Sequence, residues 1–221
     1  MARFRDRRSA GRELAMAVSR LQLEAPLVLA LPRGGVPVAW EVAQALATPL
    51  DLLLVRKLGV PGQPELGMGA ITDGPNPRTV IDRALISSLG ISDADLEQEI
   101  DRQRIELARR RRAYLGDRPQ PDPGGRNVVL VDDGIATGGT VRVALDALRS
   151  NGAATVILAV SVAPIELLQP LQNLADEVIC LSFPDPFLAV GRHYEQFEQT
   201  SDAEVVDLLA RSSGEASHDA A

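Results

Sequence analysis

The stretch that most constrains this chain is residues 127–141, which read NVVLVDDGIATGGTV. Its unbroken apolar row, VVLV, is typical of a strand that is covered on both faces in a parallel sheet. Asp132 and Asp133 follow the row directly, and open α/β sheets bind their ligands at that carboxyl end of a strand. Apolar residues at helical spacing resume after Thr140. The stretch therefore predicts a strand, a ligand-binding loop and a helix.

The loop between this strand and this helix has the composition of an anion-binding loop. Glycines let the backbone approach a ligand closely, threonines add hydroxyl donors, and the helix that follows directs its positive end at the same place. A phosphate monoester fits such a loop, and the neighbouring carboxylates suit sugar hydroxyls or a hydrated divalent cation. Together these features suggest a ribose 5-phosphate. The loop residues are Ala136, Thr137, Gly138, Gly139 and Thr140.

Residues 128–140 resemble the phosphoribosyl-pyrophosphate (PRPP) motif of the type I phosphoribosyltransferases. The resemblance implies that Asp132 and Asp133 hold the ribose hydroxyls, and that the loop from Ala136 to Thr140 wraps the 5-phosphate. The two acids could also contact Mg²⁺, directly or through water. The Walker phosphate loop fits less well, because no Lys precedes Thr140.

A second loop repeats the arrangement of strand, glycines and helix. Residues 27–31 read LVLAL and predict a strand, and Arg33, Gly34 and Gly35 follow before a helix that extends to about Ala47. A cation beside two glycine amides could receive an anionic group. In the family that residues 128–140 resemble, the corresponding short loop binds pyrophosphate, and the resemblance gives that role to these three residues.

Residues 51–55 predict a third strand, with Arg56 and Lys57 at its carboxyl end. A basic pair at such a place is by itself ordinary surface charge. The resemblance implies a basic residue that leads into a mobile loop and reaches the pyrophosphate, and this role suits Lys57 better than Arg56. The Gly- and Pro-rich segment from Gly59 to Met68 predicts a lid, and it contains one acid, Glu65.

The other segments complete an alternation of strands and helices. Residues 69–71 and 79–81 predict a hairpin, and residues 155–162 and 177–181 predict two further strands. Residues 84–118 predict a helical insertion whose many charges, Arg109 to Arg112 included, form a solvated face. The arginines of residues 3–12 are also expected to face solvent.

Aromatic residues concentrate near the carboxyl end of the chain. They make up 3% of the sequence, and four of them fall between Phe183 and Phe197. Such rings could stack on a planar base or pack against the sheet. The resemblance implies a hood of about residues 183–205 over the acceptor, with Phe183 and Phe187 as candidate acceptor contacts. Residues 211–221 are expected to be disordered.

Composition limits what else the protein could be. With 221 residues and 45% hydrophobic residues, the chain can bury the core of a single domain. Its net charge of -7 argues against nucleic-acid binding, and its one Cys excludes an internal disulfide. No membrane-length apolar run occurs, so the cytoplasm is the expected location. We predict a mainly parallel, five- or six-stranded α/β sheet with a hood and a helical insertion.

The function predicted from the resemblance is Mg²⁺-dependent transfer of ribose 5-phosphate from PRPP to a nitrogen acceptor, such as a nucleobase, with release of pyrophosphate. Relatives that act on hypoxanthine and guanine commonly have an aspartate at the position of Ala136, which cannot transfer a proton. A general base would then come from elsewhere, with Glu65 and Asp185 as candidates. A PRPP-binding regulator and a nucleotide hydrolase or phosphorylase stay open as alternatives, and so does a homo-oligomer.

Overall fold

The computed structural model describes residues 3–74, 76–212 and 214, and of Glu65 it describes the backbone only. Its centre is a five-stranded parallel sheet, as the sequence predicts, with the strand order β2, β1, β6, β7, β8. The strands are β1 (Leu27–Ala30), β2 (Leu50–Leu52), β6 (Asn127–Asp132), β7 (Thr155–Val162) and β8 (Glu177–Ser182).

Both faces of this sheet are covered, which is why its strands are apolar without alternation. On one face Val129 and Val131 pack into a core with helices α1 (Arg7–Ser19), α2 (Gly35–Ala45) and α7 (Asp202–Ser212). On the other face Val128 and Leu130 pack against helix α5 (Gly139–Ser150) and helix α6 (Leu168–Gln172). Strand β6 therefore lies between the two cores and contributes side chains to each of them.

A second, antiparallel sheet corrects the prediction for residues 51–55. It consists of β3 (Val55–Val60), β4 (Gln63–Thr72) and β5 (Thr79–Ile81), and β4 and β5 form the predicted hairpin. The predicted third strand ends at Leu52 because Asp73 binds the backbone of Leu54 twice. Its carboxylate accepts the Leu54 N–H at 2.8 Å, and its own N–H donates to the Leu54 carbonyl at 2.9 Å.

The helical insertion contains α3 (Arg83–Leu89) and α4 (Asp93–Leu115), but the prediction of a wholly solvated arginine run in α4 was wrong. Arg111 is buried, and its guanidinium lies 2.8 Å from the Asp73 carboxylate and 3.5 Å from that of Asp51. A buried charge is tolerated only when it is paired in this way. Arg109 and Arg110 instead bind Glu106 at the surface of the helix, in an i, i+3 pair and an i, i+4 pair.

The predicted hood segment, residues 183–205, follows β8, and Tyr194 within it contacts Asp133 at the carboxyl end of β6. The segment includes a short 3₁₀ helix (Val190–His193), and Tyr194 forms an isolated bridge with Phe4. Helix α7 continues through Ser212, whose hydroxyl accepts the Leu50 N–H at 2.7 Å, so the prediction of disorder was wrong for Arg211 and Ser212. Ser213 and residues 215–221 lie outside the described residues. Nowhere in the described ranges is a helix both long and apolar enough to span a membrane.

Candidate active site

Two loops leave the parallel sheet side by side at its carboxyl edge. The chain proceeds from β1 outward to β2 on one side, and from β6 through β7 to β8 on the other. Strands β1 and β6 therefore flank the point where the strand order reverses, and ligands of open α/β sheets bind in the crevice at such a point. The loop after β1 carries Arg33, Gly34 and Gly35, and β6 ends at Asp132, which Asp133 follows.

The glycines after β1 are needed because the two loops touch. A Cβ added at Gly34 would overlap the Asp133 carboxylate, and one added at Gly35 would lie 2.8 Å from the Val131 carbonyl oxygen and 3.1 Å from Asp132 Oδ1. Any larger residue would push the acids away from their present position. The structure thus brings together two predicted motifs that are about a hundred residues apart in the sequence.

The acid pair is largely withdrawn from solvent. Asp133 is buried, and its backbone N–H donates to Asp132 Oδ1 at 2.9 Å. Burial, together with the neighbouring charge of Asp133, raises the pKa of Asp132 well above its usual range. Two carboxylates so close together need a counter-charge if both are to stay ionised.

That counter-charge comes from Arg7, and the prediction that the arginines of residues 3–12 all face solvent was therefore wrong. Arg7 Nε donates to Asp133 Oδ2 at 2.7 Å, and each of the two side chains is only 12% exposed. The other arginines of this stretch behave closer to the prediction: Arg12, for example, is 59% exposed and lies 3.4 Å from Glu41.

The hood holds both Arg7 and the acid pair in place. The Tyr194 hydroxyl donates to the Asp133 carbonyl oxygen at 2.6 Å, and the Tyr194 ring stacks on Phe197 at 5.0 Å. Arg7 in turn lies over the Phe197 ring at 3.9 Å and donates to the Glu198 carbonyl oxygen at 2.7 Å. Burial raises the pKa of Tyr194, so its hydroxyl keeps its proton and remains a donor at neutral pH.

Arg33, in the loop after β1, is linked to the last helix of the described chain. Its guanidinium lies 3.4 Å from the Asp202 carboxylate at the start of α7, and the Tyr114 hydroxyl donates to the same Asp202 oxygen at 2.7 Å. The Arg33–Asp202 pair is largely exposed to water, where such a pair contributes little free energy. An arriving anion could therefore replace Asp202 as the partner of Arg33.

The predicted phosphate loop lies beside the acids and faces open solvent. Gly138 has a φ of 77°, a left-handed conformation that glycine adopts without strain, and it caps α5 at its amino end. Ala136, Thr137, Gly139 and Thr140 are all exposed. The free backbone N–H groups of the first turn of α5 point toward this loop, as an anion site at a helix start requires.

Lys57 faces this phosphate loop across a cleft, although it lies within β3 and does not follow a strand of the parallel sheet. The cleft has a volume of about 570 Å³, and it is lined by Lys57, Thr137, Gly139, Thr140 and Arg142, among others. Neighbouring strand residues point to opposite sides, and Arg56 accordingly binds Gln103 of α4 at 2.9 Å. The segment from Gly59 to Met68, predicted as a loop, is mostly the β-hairpin of β3 and β4.

The candidate acceptor residues take different positions. Phe183 is partly buried against the core that contains Leu130, and the Phe187 ring stacks on His193 at 5.6 Å. Asp185 is exposed in the hood. The side chain of Glu65 lies outside what the structure describes. Burial lowers the pKa of His193, which is therefore neutral at physiological pH.

The carboxylates at the site do not make a complete metal site by themselves. In the parts of the chain that the structure describes, no group of three or more His, Cys, Asp and Glu side chains is arranged to hold a metal ion. Mg²⁺ often binds through one or two carboxylates, with water and substrate phosphates as its other ligands. Asp132 and Asp133 fit that partial role.

Sequence reasoning missed Arg7, Asp202 and the hydroxyl of Tyr194. Arg7 belongs to a run of arginines, RFRDRR, in which no local pattern marks one residue as buried. The Asp6–Ser9 capping box shows where α1 begins and could have identified Arg7 as its first residue. Its contact with Asp133 spans 126 positions, however, and no local pattern predicts such a contact.

Comparisons with known proteins agree with this geometry. Residues 6–196 match the family described as the phosphoribosyl transferase domain. Two Mycobacterium tuberculosis proteins, Rv0571c and MT0597, which are provisionally named phosphoribosyl transferases, are each 46% identical to the chain over 211 residues. These matches cover 96% of this chain and 47% of each relative, so the chain spans about half the length of the curated relatives it matches.

A solved structure extends the likeness to the fold. The crystal structure of TT1426 from Thermus thermophilus shares 45% sequence identity with the chain and superposes with a TM-score of 0.81, covering 95% of this chain and 98% of that one. The family match over residues 6–196 and these relatives lead to one conclusion: the chain belongs to the phosphoribosyltransferase family.

Proposed function

We propose that this protein transfers the 5-phosphoribosyl group of PRPP to a nitrogen acceptor and releases pyrophosphate. One observation carries the proposal. The Gly34 and Gly35 loop meets the Asp132 and Asp133 pair at the reversal point of the sheet, next to a loop suited to a phosphate. This arrangement offers separate places for pyrophosphate, ribose and 5-phosphate in one crevice.

The proposed reaction exchanges one bond at C1 of the ribose. The bond from C1 to the pyrophosphate oxygen breaks, that oxygen keeps the electron pair, and a new bond forms from C1 to the acceptor nitrogen. Negative charge therefore grows on the leaving pyrophosphate, where Arg33, the Gly34 and Gly35 amides and Lys57 would stabilise it. The acids and the phosphate loop would hold the sugar in line for the exchange.

Mg²⁺ would add positive charge at the pyrophosphate end when it is bound with PRPP. Asp132 and Asp133 are the protein residues that would contact it, directly or through its water shell. The remaining ligands would come from the substrate and from water. The metal is thus expected to bind more tightly in the presence of PRPP than in its absence.

The acceptor is best described as a nitrogen compound whose proton is lost without help from the phosphate loop. Ala136 cannot accept a proton, and the family resemblance places it where phosphoribosyltransferases for hypoxanthine and guanine commonly have an aspartate. Asp185 and Glu65 stay candidates for this proton transfer. Phe183 and Phe187 are the proposed contacts of a planar acceptor such as a nucleobase.

The test is isothermal titration of the protein with PRPP and Mg²⁺, followed by a panel of nucleobases with pyrophosphate release as the readout. The variant Asp132→Asn with Asp133→Asn should keep its circular dichroism spectrum and lose PRPP affinity by at least about 100-fold, because two charge-assisted contacts disappear. The matched control is Asp101→Asn with Asp117→Asn, which removes the same charge from exposed positions. This control should bind PRPP as the unaltered protein does.

The outcomes separate the proposal from its alternatives. Pyrophosphate release with one base supports the transferase and names its acceptor. Tight PRPP binding without release for any base would favour a PRPP-binding regulator. A wild-type protein that does not bind PRPP, or a double variant that binds it unchanged, would overturn the proposal.

A further inference from the structure

Arg7 forms a fixed part of the acid pair, although the PRPP motif does not include it. It is the first residue of α1, and the capping box between Asp6 and Ser9 sets the start of that helix. The Asp6 carboxylate accepts the Ser9 N–H at 2.7 Å, and the Ser9 hydroxyl oxygen accepts the Asp6 N–H at 3.0 Å. The backbone that carries Arg7 is therefore well defined.

The guanidinium of Arg7 is held on three sides. Asp133 Oδ2 lies at 2.7 Å from Nε, the Glu198 carbonyl oxygen lies at 2.7 Å from Nη1, and the Phe197 ring lies 3.9 Å from the guanidinium carbon. These contacts come from the end of β6 and from the hood, and they leave the side chain 12% exposed. A long side chain that is packed in this way does not behave as a mobile surface charge.

The contacts also determine which carboxylate oxygens are engaged. Asp133 Oδ2 accepts from Arg7, and Asp132 Oδ1 accepts from the Asp133 N–H. The two side chains also contact each other, so the bonds from Arg7 and from the Asp133 N–H fix how the pair is oriented. A ribose has two neighbouring hydroxyls and could donate one hydrogen bond to each acid.

We propose that Arg7 is a positioning residue for the acid pair: it fixes the oxygen that Asp133 presents to the sugar, and it neutralises that carboxylate. The first part rests on the proposed function, since it concerns the ribose of PRPP. The second part does not, because two neighbouring carboxylates without a counter-charge attract a divalent cation whatever the substrate is. The variants Arg7→Gln and Arg7→Lys separate charge from geometry.

The counter-charge role can be tested without substrate. The protein is titrated with Mn²⁺ alone, and electron paramagnetic resonance measures the concentration of free Mn²⁺ at each step. The titration is carried out at a pH high enough to ionise both acids, where Arg7→Gln should bind Mn²⁺ roughly tenfold more tightly than the unaltered protein, because the pair has lost its counter-charge. Adding Asp133→Asn should abolish the gain. Arg12→Gln is the matched control, since it removes an exposed arginine from the same helix, and it should titrate like the unaltered protein. If Arg7→Gln gains no Mn²⁺ affinity, the counter-charge role is overturned.

The positioning role is tested by calorimetry with two ligands, each supplied with Mg²⁺. Arg7→Lys retains the charge but not the fork of donors, so it should titrate with Mn²⁺ like the unaltered protein. It should also bind PRPP about tenfold more weakly and bind pyrophosphate unchanged, because pyrophosphate has no sugar to align. If Arg7→Lys binds PRPP unchanged, or loses affinity equally for PRPP and pyrophosphate, the proposal that Arg7 positions Asp133 is overturned.

The two proposals fail in distinguishable ways. If the unaltered protein does not bind PRPP, the proposed function fails while the Mn²⁺ titration still decides whether Arg7 neutralises Asp133. If Arg7→Gln does not fold by circular dichroism, Arg7→Lys still decides the positioning role through its ratio of PRPP to pyrophosphate affinity.

Discussion

The two halves of the candidate site are built differently. The acid half consists of Asp132, Asp133, Arg7 and Tyr194, and its polar groups bind one another in a largely buried setting. The cradle half consists of residues 136–140 and Lys57, which lie around an open cleft. The acid half is thus organised before any ligand arrives, whereas the cradle half would take its partners from the ligand. Substitutions in the first should therefore change stability, and substitutions in the second should change binding alone.

The largest difference in the free energy of unfolding is expected between two glycine substitutions. Gly34→Ala places a methyl group against the Asp133 carboxylate, and Arg7 restrains that carboxylate from moving. Gly139→Ala meets no atom within 4 Å. Urea unfolding should show Gly34→Ala to be destabilised by about 1–3 kcal/mol, the usual cost of overpacking. Gly139→Ala should unfold like the unaltered protein, and equal effects of the two would remove the distinction between the halves.

A second test concerns the hydroxyl that links the hood to the acid half. Tyr194→Phe keeps the ring contacts with Phe4 and Phe197 and leaves the buried Asp133 carbonyl without its 2.6 Å donor. Thermal and urea unfolding should report a loss of about 1–2 kcal/mol, typical of a buried acceptor that loses its partner. The control is Tyr114→Phe. The Tyr114 hydroxyl binds the exposed Asp202, so its removal should cost less free energy of unfolding. A larger loss for the control would contradict the assignment.

The pH dependence of stability should reveal Asp132. Burial raises its pKa in the folded protein, so the ionised carboxylate costs stability; this cost appears as the pH rises from the ordinary value of 3.8 through the raised value. Asp132→Asn carries no charge and should be more stable than the unaltered protein at pH 8, by about 1 kcal/mol. That advantage should shrink as the pH is lowered toward about 4. If the Asn variant were instead less stable at pH 8, Arg7 would stabilise the ionised Asp132 carboxylate by more than burial destabilises it.

The smallest change in stability is expected in the cradle half. Thr137 is exposed, and Thr137→Ala should leave the free energy of unfolding within about 0.5 kcal/mol of the starting value. The proposed function expects the same variant to lose roughly tenfold in PRPP affinity, because it removes the proposed hydroxyl contact to the phosphate. Calorimetry and urea unfolding on one preparation measure both quantities. A marked loss of stability would mean that the cradle half is also organised in advance.

Local sequence patterns predicted the fold well where one pattern controls one element. The row VVLV is buried on both faces in β6, and the apolar spacing after Thr140 forms the inner side of α5. The pattern failed at residues 51–55, which read as one strand: Asp51 and Leu52 belong to β2 of the parallel sheet, Val55 begins β3 of the antiparallel sheet, and the two leucines between them lie in neither strand. The break depends on Asp73, which binds Leu54 from 19 positions away, and strand propensity contains no information about that contact.

The candidate site divides in the same way. The positions of Arg33, Gly34, Gly35 and the acid pair could be predicted from sequence because they lie at, or shortly after, the carboxyl ends of two strands of one parallel sheet. Those of Arg7 and Arg111 could not, since their neighbours in the sequence are charged surface residues and only tertiary contacts bury them. Of these two, Arg7 belongs to the candidate site, and its buried ion pair with Asp133 is the part of the site that local sequence patterns do not reveal.

The anchoring of the second sheet has a mechanical consequence for Lys57. Leu54 is fixed by Asp73, which Arg111 holds in turn, whereas the hairpin turn at Pro61 and Gly62 is exposed. Beyond this base, Leu58 and Met68 are buried in the core that also contains residues of α4, and the Gly59 N–H donates to the buried Glu99 carboxylate at 3.2 Å. Lys57 therefore extends from a hairpin that is anchored on both sides of it. The reach of its charge over the phosphate loop is set by rotation about its own side-chain bonds, and not by a swing of the backbone.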